Sequence, residues 1–230
     1  MNKLDKILVF GATSEIVVSM LNELNLTGSE IYLVARDLDK LNNLSLETNN
    51  CVIHKIAFDF INCNTSLLES KFKDISFDLV IFAQGYASIG ACSDLADKDI
   101  DEMFAVNLVS IIKLSKSIVG SLKEGSQIIY FSSIAGHQGF GNWSVYCATK
   151  FGLEGFVKSI RQELRAKGIR VISAGIGAVD TKLWNSIEGE WDRSKMMTIK
   201  NVGLFLSNLV SSPKEISIED IVFGPLGGDL

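Results

Sequence analysis

The chain has 230 residues, 47% of them hydrophobic and 21% charged, with only two prolines, which suits one folded domain and excludes a disordered or linker-divided chain. Its 22 basic against 27 acidic residues give a net charge of −5, and the Lys and Arg are scattered along the chain. A nucleic-acid partner is therefore not expected.

The first apolar run, KILVF (6–10), leads through Gly11 into SEIVVSMLNEL, whose spacing is helical. EIYLVA (30–35) follows and feeds the helix-like DLDKLNNLSLE, then CVIHKIAF (51–58) and DLVIFA (78–83). The long segment IDEMFAVNLVSIIKLSKSIVGSL reads as helix, QIIYFS (127–132) as strand, and VYCATKFGLEGFVKSIRQELRAKG as helix. This last helix stops at Gly168, with Arg165 and Lys167 in its final turn, as helix ends favour. IRVISAG (169–175) and EDIVF (219–223) complete the strands. Each strand run is nearly continuous in apolar residues, the mark of strands buried on both faces. About seven alternations of strand and helix predict a doubly wound parallel α/β sheet with helices on both faces, over a single domain spanning 1–230.

The four cysteines, Cys51, Cys63, Cys92 and Cys147, have no CxxC spacing and sit mostly in apolar segments. Neither a zinc site nor a disulfide framework is expected, and a reduced, cytoplasmic protein is. His54 in a strand-like run and His137 in a loop read as structural, so no metal site is expected. Gly11, Thr13, Ser14 and Glu15 interrupt the N-terminal apolar run and no small-residue cleavage site follows, so no secretion signal is expected. No window reads as the roughly 20 apolar residues needed to cross a bilayer, and no membrane role is expected.

In a doubly wound sheet ligands bind beyond the carboxyl ends of the strands, which gathers Gly11, Ala83, Ser133 and Gly177 around one crevice. In FGATSEIV a strand runs straight into a helix, whose first N–H groups can hold a pyrophosphate. Within VYCATKFG, Tyr146 and Lys150 stand four apart on one helix face with the small Ala148 and Thr149 between them. An ammonium beside a phenol favours phenolate, so Tyr146 is expected to exchange a proton near neutral pH.

The segment SSIAGHQGFGNWSVYCATKFGLEGF resembles the central segment of the short-chain dehydrogenase/reductase family. Ser133, 13 residues before Tyr146, together with Lys150 and with Asn107 in VNLVS, matches the family's Asn, Ser, Tyr, Lys tetrad in order and in spacing. The FGATSEIV turn is similar to the family's TGxxxGxG, keeping Gly11 but carrying Phe10, Glu15 and Val17 where the Thr and the later glycines stand. FAQG (82–85) stands in the place of NNAG and keeps only Gly85, while GIRVISAGIGAVDT (168–181) is similar to GIRVNxxxPGxxxT with Ile176 replacing the proline.

The resemblance implies the Rossmann fold and an oxidoreductase that passes a hydride between nicotinamide and a small-molecule carbonyl or alcohol. It assigns proton exchange to Tyr146, the substrate oxygen to Ser133, the nicotinamide ribose to Lys150 and a relay water to Asn107. Cofactor contacts fall to Gly11, Thr13, Ser14, Ile16, Arg36, Asp59, Phe60, Ala83, Gly85, Tyr146, Lys150, Gly177, Val179 and Thr181, with Asp59 at the adenine and Thr181 at the carboxamide. Where NAD enzymes carry an acidic residue after the second strand this chain has Ala35 and Arg36, which suits the 2′-phosphate of NADP better than NAD. Residues 182–200, with Trp184, Trp191, Met196 and Met197, stand at the family's variable substrate lid, and the family implies a homo-oligomer, dimer or tetramer, through the two long helices. The altered glycine turn leaves a second reading open, a non-catalytic relative that senses a dinucleotide or serves as an interaction module. The chain is too short for the family's longer epimerase and dehydratase branch.

Overall fold

Successive side chains of a strand point to opposite faces of a sheet, and in this chain both faces are apolar. Leu8 and Phe10 of the first strand enter one buried cluster, while Ile7 and Val9 enter another. The structure, a computed structural model, describes residues 4–48, 50–187 and 189–228. The ends of the expected 1–230 domain and Glu188 of the 182–200 segment lie outside them. Seven parallel strands, β1 (Lys6–Phe10), β2 (Glu30–Ala35), β3 (Val52–Ala57), β4 (Phe77–Phe82), β5 (Leu122–Ser133), β6 (Arg170–Ile176) and β7 (Asp220–Phe223), form one sheet in the order β3-β2-β1-β4-β5-β6-β7. The chain builds outward from β1 to β3, then returns to place β4 on the other side of β1. The switch in strand order therefore lies between β1 and β4, the place beyond whose carboxyl ends sheets of this topology bind ligands.

Helices cover both faces. On one, α1 (Glu15–Glu23), α2 (Leu38–Asn42) and α7 (Ile199–Val210) contribute Val17, Met20, Leu41, Val202 and Leu206 to the core. On the other, α3 (Ser66–Phe72), α5 (Ser110–Ile118) and α6 (Ser144–Arg165) contribute Leu68, Phe72, Ile111, Leu114, Leu153 and Val157. Burying each such side chain contributes about 1.5–3 kcal/mol. A row of stacked rings crosses three strands below the crevice, with Phe10 to Phe82 at 4.9 Å and Phe82 to Tyr130 at 4.8 Å. The Tyr130 hydroxyl, fully enclosed, meets Ser115 Oγ at 2.9 Å, which satisfies its polar end.

Three expectations are corrected. The helix expected over 37–47 is only the five residues of α2, after which the chain extends, its Asn42 and Leu44 carbonyls accepting bonds from Lys55 Nζ. Asn42 and Asn43, weak helix formers, mark the break. The long helix expected over 100–122 is α4 (Asp97–Phe104), a π turn at Ala105–Val109 and α5, and its last residue, Leu122, already belongs to β5. This helical run, Asp97–Ser121, also reaches the length and mean hydropathy (1.5) of a bilayer-crossing helix, contrary to the sequence reading. Here Met103, Val106, Ile111, Leu114 and Ile118 of the run are buried within the protein.

Candidate active site

At the end of β1 the chain must turn sharply while β4 passes close by. Gly11 adopts φ +77°, and a Cβ there would lie 2.3 Å from the Gln84 backbone nitrogen, so only glycine fits. The amides of Gly11 and Ala12 both donate to Val34 O (2.9 and 3.1 Å), and α1 begins at Glu15 after Thr13 and Ser14. Val17, in the place of a family glycine, is fully buried against the sheet, whereas Ile16 is partly exposed. Glu15 does not lie across the turn. Its Oε2 accepts a 2.7 Å bond from the Lys182 amide, and its Oε1 lies 3.7 Å from Lys182 Nζ.

At the ends of β2 and β3, Arg36 is exposed on the rim and Asp59 closes a turn by accepting from the Ile61 amide (2.9 Å) and from Asn62 Nδ2. The Asn62 bond, aided by the Ile61 amide and by the positive charge of Arg36, holds the Asp59 carboxyl below the usual range. The Phe60 side chain is buried in the core against Phe58 and not presented to the sheet edge.

Beyond β4, Ala83 lies beside β1, its amide donating to Phe10 O at 2.8 Å. Asn107 is fully buried in the π turn, a conformation often found at functional sites. Its Oδ1 accepts from the Tyr86 amide (2.7 Å), and its Nδ2 donates to Tyr86 O (2.8 Å) and Thr149 Oγ1 (3.2 Å). That clamp fixes the loop containing Gly85, and Gln84 Nε2 adds a 3.4 Å bond to Ser110 Oγ. The asparagines missing from FAQG are thus replaced by other anchors.

Ser133 ends β5 and Tyr146 lies in the first turn of α6, where the Ser133 side chain opposes the rise of the phenol. Lys150 is buried, with Nζ donating to Phe131 O at 3.2 Å and lying 5.6 Å from the centre of the Tyr146 ring. Part of the Tyr146 side chain borders the crevice, but enclosure still dominates its chemistry. Burial pushes the phenol up to about 12 against the opposing effect of Ser133. Burial likewise brings the Lys150 ammonium down to about 8, opposed by Glu154 one turn on. The expectation that Lys150 draws Tyr146 towards neutral titration is thereby corrected, because burial dominates and raises the phenol instead. The Glu154 carboxylate, also buried, accepts from Ser173 Oγ at 2.7 Å and lies 3.4 Å from His137 Nε2.

The end of β6 supplies Gly177, whose amide donates to Phe223 O at 2.8 Å, and where a Cβ would lie 2.8 Å from Gly224 Cα. Val179 is buried and bridges Met197, and the Thr181 amide donates back to Val179 O. Met196 is also buried, so the two methionines pin the end of the 182–200 segment. Arg193 ties that segment down, donating to Asp180, Asn185 Oδ1 and Thr181 O. Trp184 and Trp191 meet Trp143, which sequence reasoning missed: it stands just before the first turn of α6, three residues before Tyr146, and only its nearness to that tyrosine could have marked it.

The tetrad residues and the ends of β1, β4 and β6 thus meet at one edge of the sheet, with Arg36 and Asp59 on its β2–β3 side. A family model described as short chain dehydrogenase matches residues 5–191. The chain is 23% identical over 222 residues to an uncharacterised oxidoreductase of Staphylococcus epidermidis, covering 95% of this chain and 96% of that protein. It is 26% identical over 155 residues to the sepiapterin reductase of Chlorobaculum tepidum, which covers 66% of this chain but only 63% of that one. Among solved structures, the fold superposes on an alcohol dehydrogenase from Thermococcus sibiricus complexed with 5-hydroxy-NADP, with a TM-score of 0.82 at 19% identity over 98% of each chain.

Proposed function

This chain belongs to the short-chain dehydrogenase family of NAD(P)-dependent oxidoreductases, and we propose that it reduces a small-molecule carbonyl, or oxidises the corresponding alcohol, with NADP as cofactor and Tyr146 as the proton-transfer group. The observation that carries this reading is the meeting of Ser133, Tyr146 and Lys150 beside the switch point of the sheet.

The residues present fit a dinucleotide. α1 offers its N-terminus at the crevice, Gly11 leaves the turn without a side chain, and Glu15 is drawn aside by Lys182. Arg36, exposed at the end of β2, suits a 2′-phosphate, and the NADP analogue bound by the Thermococcus protein is in keeping with that choice. When bound, nicotinamide supplies or accepts the hydride. Tyr146, with its phenol near 12, stays protonated at neutral pH and so is suited to act as the acid on a carbonyl oxygen. Ser133 holds that oxygen where negative charge develops. Lys150 orients the ribose, and Asn107 keeps the adjoining loop and α6 in register.

The exposed Val109 of the π turn, Ile112 of α5 and Phe151 of α6 support association of copies through this face. Titration with NADPH, followed by calorimetry, tests the reading. Saturable binding is expected, and none at millimolar cofactor would instead favour the non-catalytic relative.

A further inference from the structure

All three tryptophans of the chain gather at the catalytic tyrosine. The Trp143 ring centre lies 5.5 Å from that of Tyr146, and 6.2 Å from those of both Trp184 and Trp191. Trp184 and Trp191 stand 4.9 Å apart. Trp184 is anchored, its Nε1 donating to Val179 O at 2.9 Å, while Trp143 stands just before the first turn of α6. The third, Trp191, has a buried indole N–H with no hydrogen-bond partner among the described residues. A donor left in that state costs about 1–3 kcal/mol unless something accepts from it.

We propose that this cluster is the substrate platform and that the site selects carbonyl compounds bearing a planar aromatic ring. The inference rests on the reading of Tyr146 as the proton donor. A carbonyl oxygen placed on the Tyr146 hydroxyl brings its substituent against Trp143, one helical turn away. There a flat ring gains offset-stacked or edge-to-face contacts that a saturated ring of the same size lacks. Anionic substrates are disfavoured because three cations of this segment already pair: Arg193 with Asp180, Lys182 with Glu15, and Lys195 with Asp192. A cage for a quaternary ammonium needs ring faces converging on a gap. These rings pack on one another edge-to-face or tilted, and so offer a surface instead.

The reaction is the two-electron reduction of an aryl ketone or aldehyde to the aryl alcohol. The carbonyl carbon gains a hydride from NADPH, which becomes NADP⁺, and the oxygen gains the Tyr146 proton, which water then replaces.

Acetophenone and cyclohexyl methyl ketone differ in ring aromaticity and little in size. With NADPH, kcat/KM for acetophenone is expected to exceed that for the cyclohexyl ketone at least tenfold. Trp143→Leu and Trp191→Leu should cut that ratio to within about threefold, and Trp143→Phe should keep most of it, a rescue that a purely structural role would not produce. Equal kcat/KM for the two ketones, or a ratio unmoved by the leucine variants, overturns the proposal. If neither ketone is reduced, the reductase reading fails and tryptophan fluorescence decides this one, since every tryptophan lies in the cluster. Saturable quenching by acetophenone but not by the cyclohexyl ketone upholds the platform. An equal response to both, or a response to tetramethylammonium alone, overturns it.

Discussion

Glu15 Oε2 accepts a 2.7 Å hydrogen bond from the amide of Lys182, 167 residues further along the chain. A carboxylate at this position of the phosphate turn would repel a pyrophosphate if it faced the crevice. Held by Lys182, it joins the nucleotide side of the site to the start of the 182–200 segment.

Lys182→Pro removes the donated N–H while suiting the first position of the 3₁₀ turn that begins there. The freed carboxylate is expected to weaken NADPH binding about fivefold, roughly 1 kcal/mol of repulsion in a partly exposed site. Adding Glu15→Gln should restore it. Calorimetric Kd values for the parent, single and double variants check this, and an unchanged Kd in Lys182→Pro would remove Glu15 from the account of cofactor binding.

The buried Lys150 makes stability depend on pH. The unfolded chain binds this proton with the ordinary lysine value of 10.5, the folded chain only with about 8. Below pH 8 the folded state therefore carries a penalty on the order of 3 kcal/mol, which shrinks as pH rises towards 10.5. Lys150→Met should stabilise the fold by roughly 2–3 kcal/mol at neutral pH while abolishing turnover, and that advantage should fade by about pH 10.5. Urea unfolding of both proteins at several pH values tests this, and an advantage independent of pH contradicts it.

Cofactor choice is expected to turn on Arg36. NADPH should bind more than tenfold tighter than NADH, a difference of about 1.4 kcal/mol or more, and Arg36→Ala should erase most of it. Parallel titrations with the two cofactors decide, and equal affinities in the unmutated protein would show that Arg36 does not read the 2′-phosphate.

The strands were legible because residues such as Ile7 and Leu8 are both buried, on opposite faces, which leaves a continuous apolar run in the sequence. α7 is less legible in the sequence although Thr198 caps it through the Asn201 amide, since its opening residues run on without a break from the irregular 182–200 segment. The proposed tetrad comes from the family resemblance, on the order and spacing of Asn107, Ser133, Tyr146 and Lys150. Its electrostatics were not legible: whether Lys150 or desolvation governs Tyr146 depends on how α6 and the ends of β5 enclose the phenol, a tertiary property. The pairings of Glu15 with Lys182 and of Trp143 with Trp191 were hidden for the same reason, being contacts across long stretches of chain.

The central claim is that the Tyr146 hydroxyl moves the proton of the reaction. Tyr146→Phe deletes that hydroxyl and keeps the ring against Trp143, so steady-state turnover of a confirmed carbonyl substrate with NADPH, measured beside the NADPH Kd, isolates the proton. The account expects kcat to fall by roughly 10³-fold or more, as loss of a general acid does, with Kd within about twofold of the parent. Turnover retained at the parent rate would contradict it.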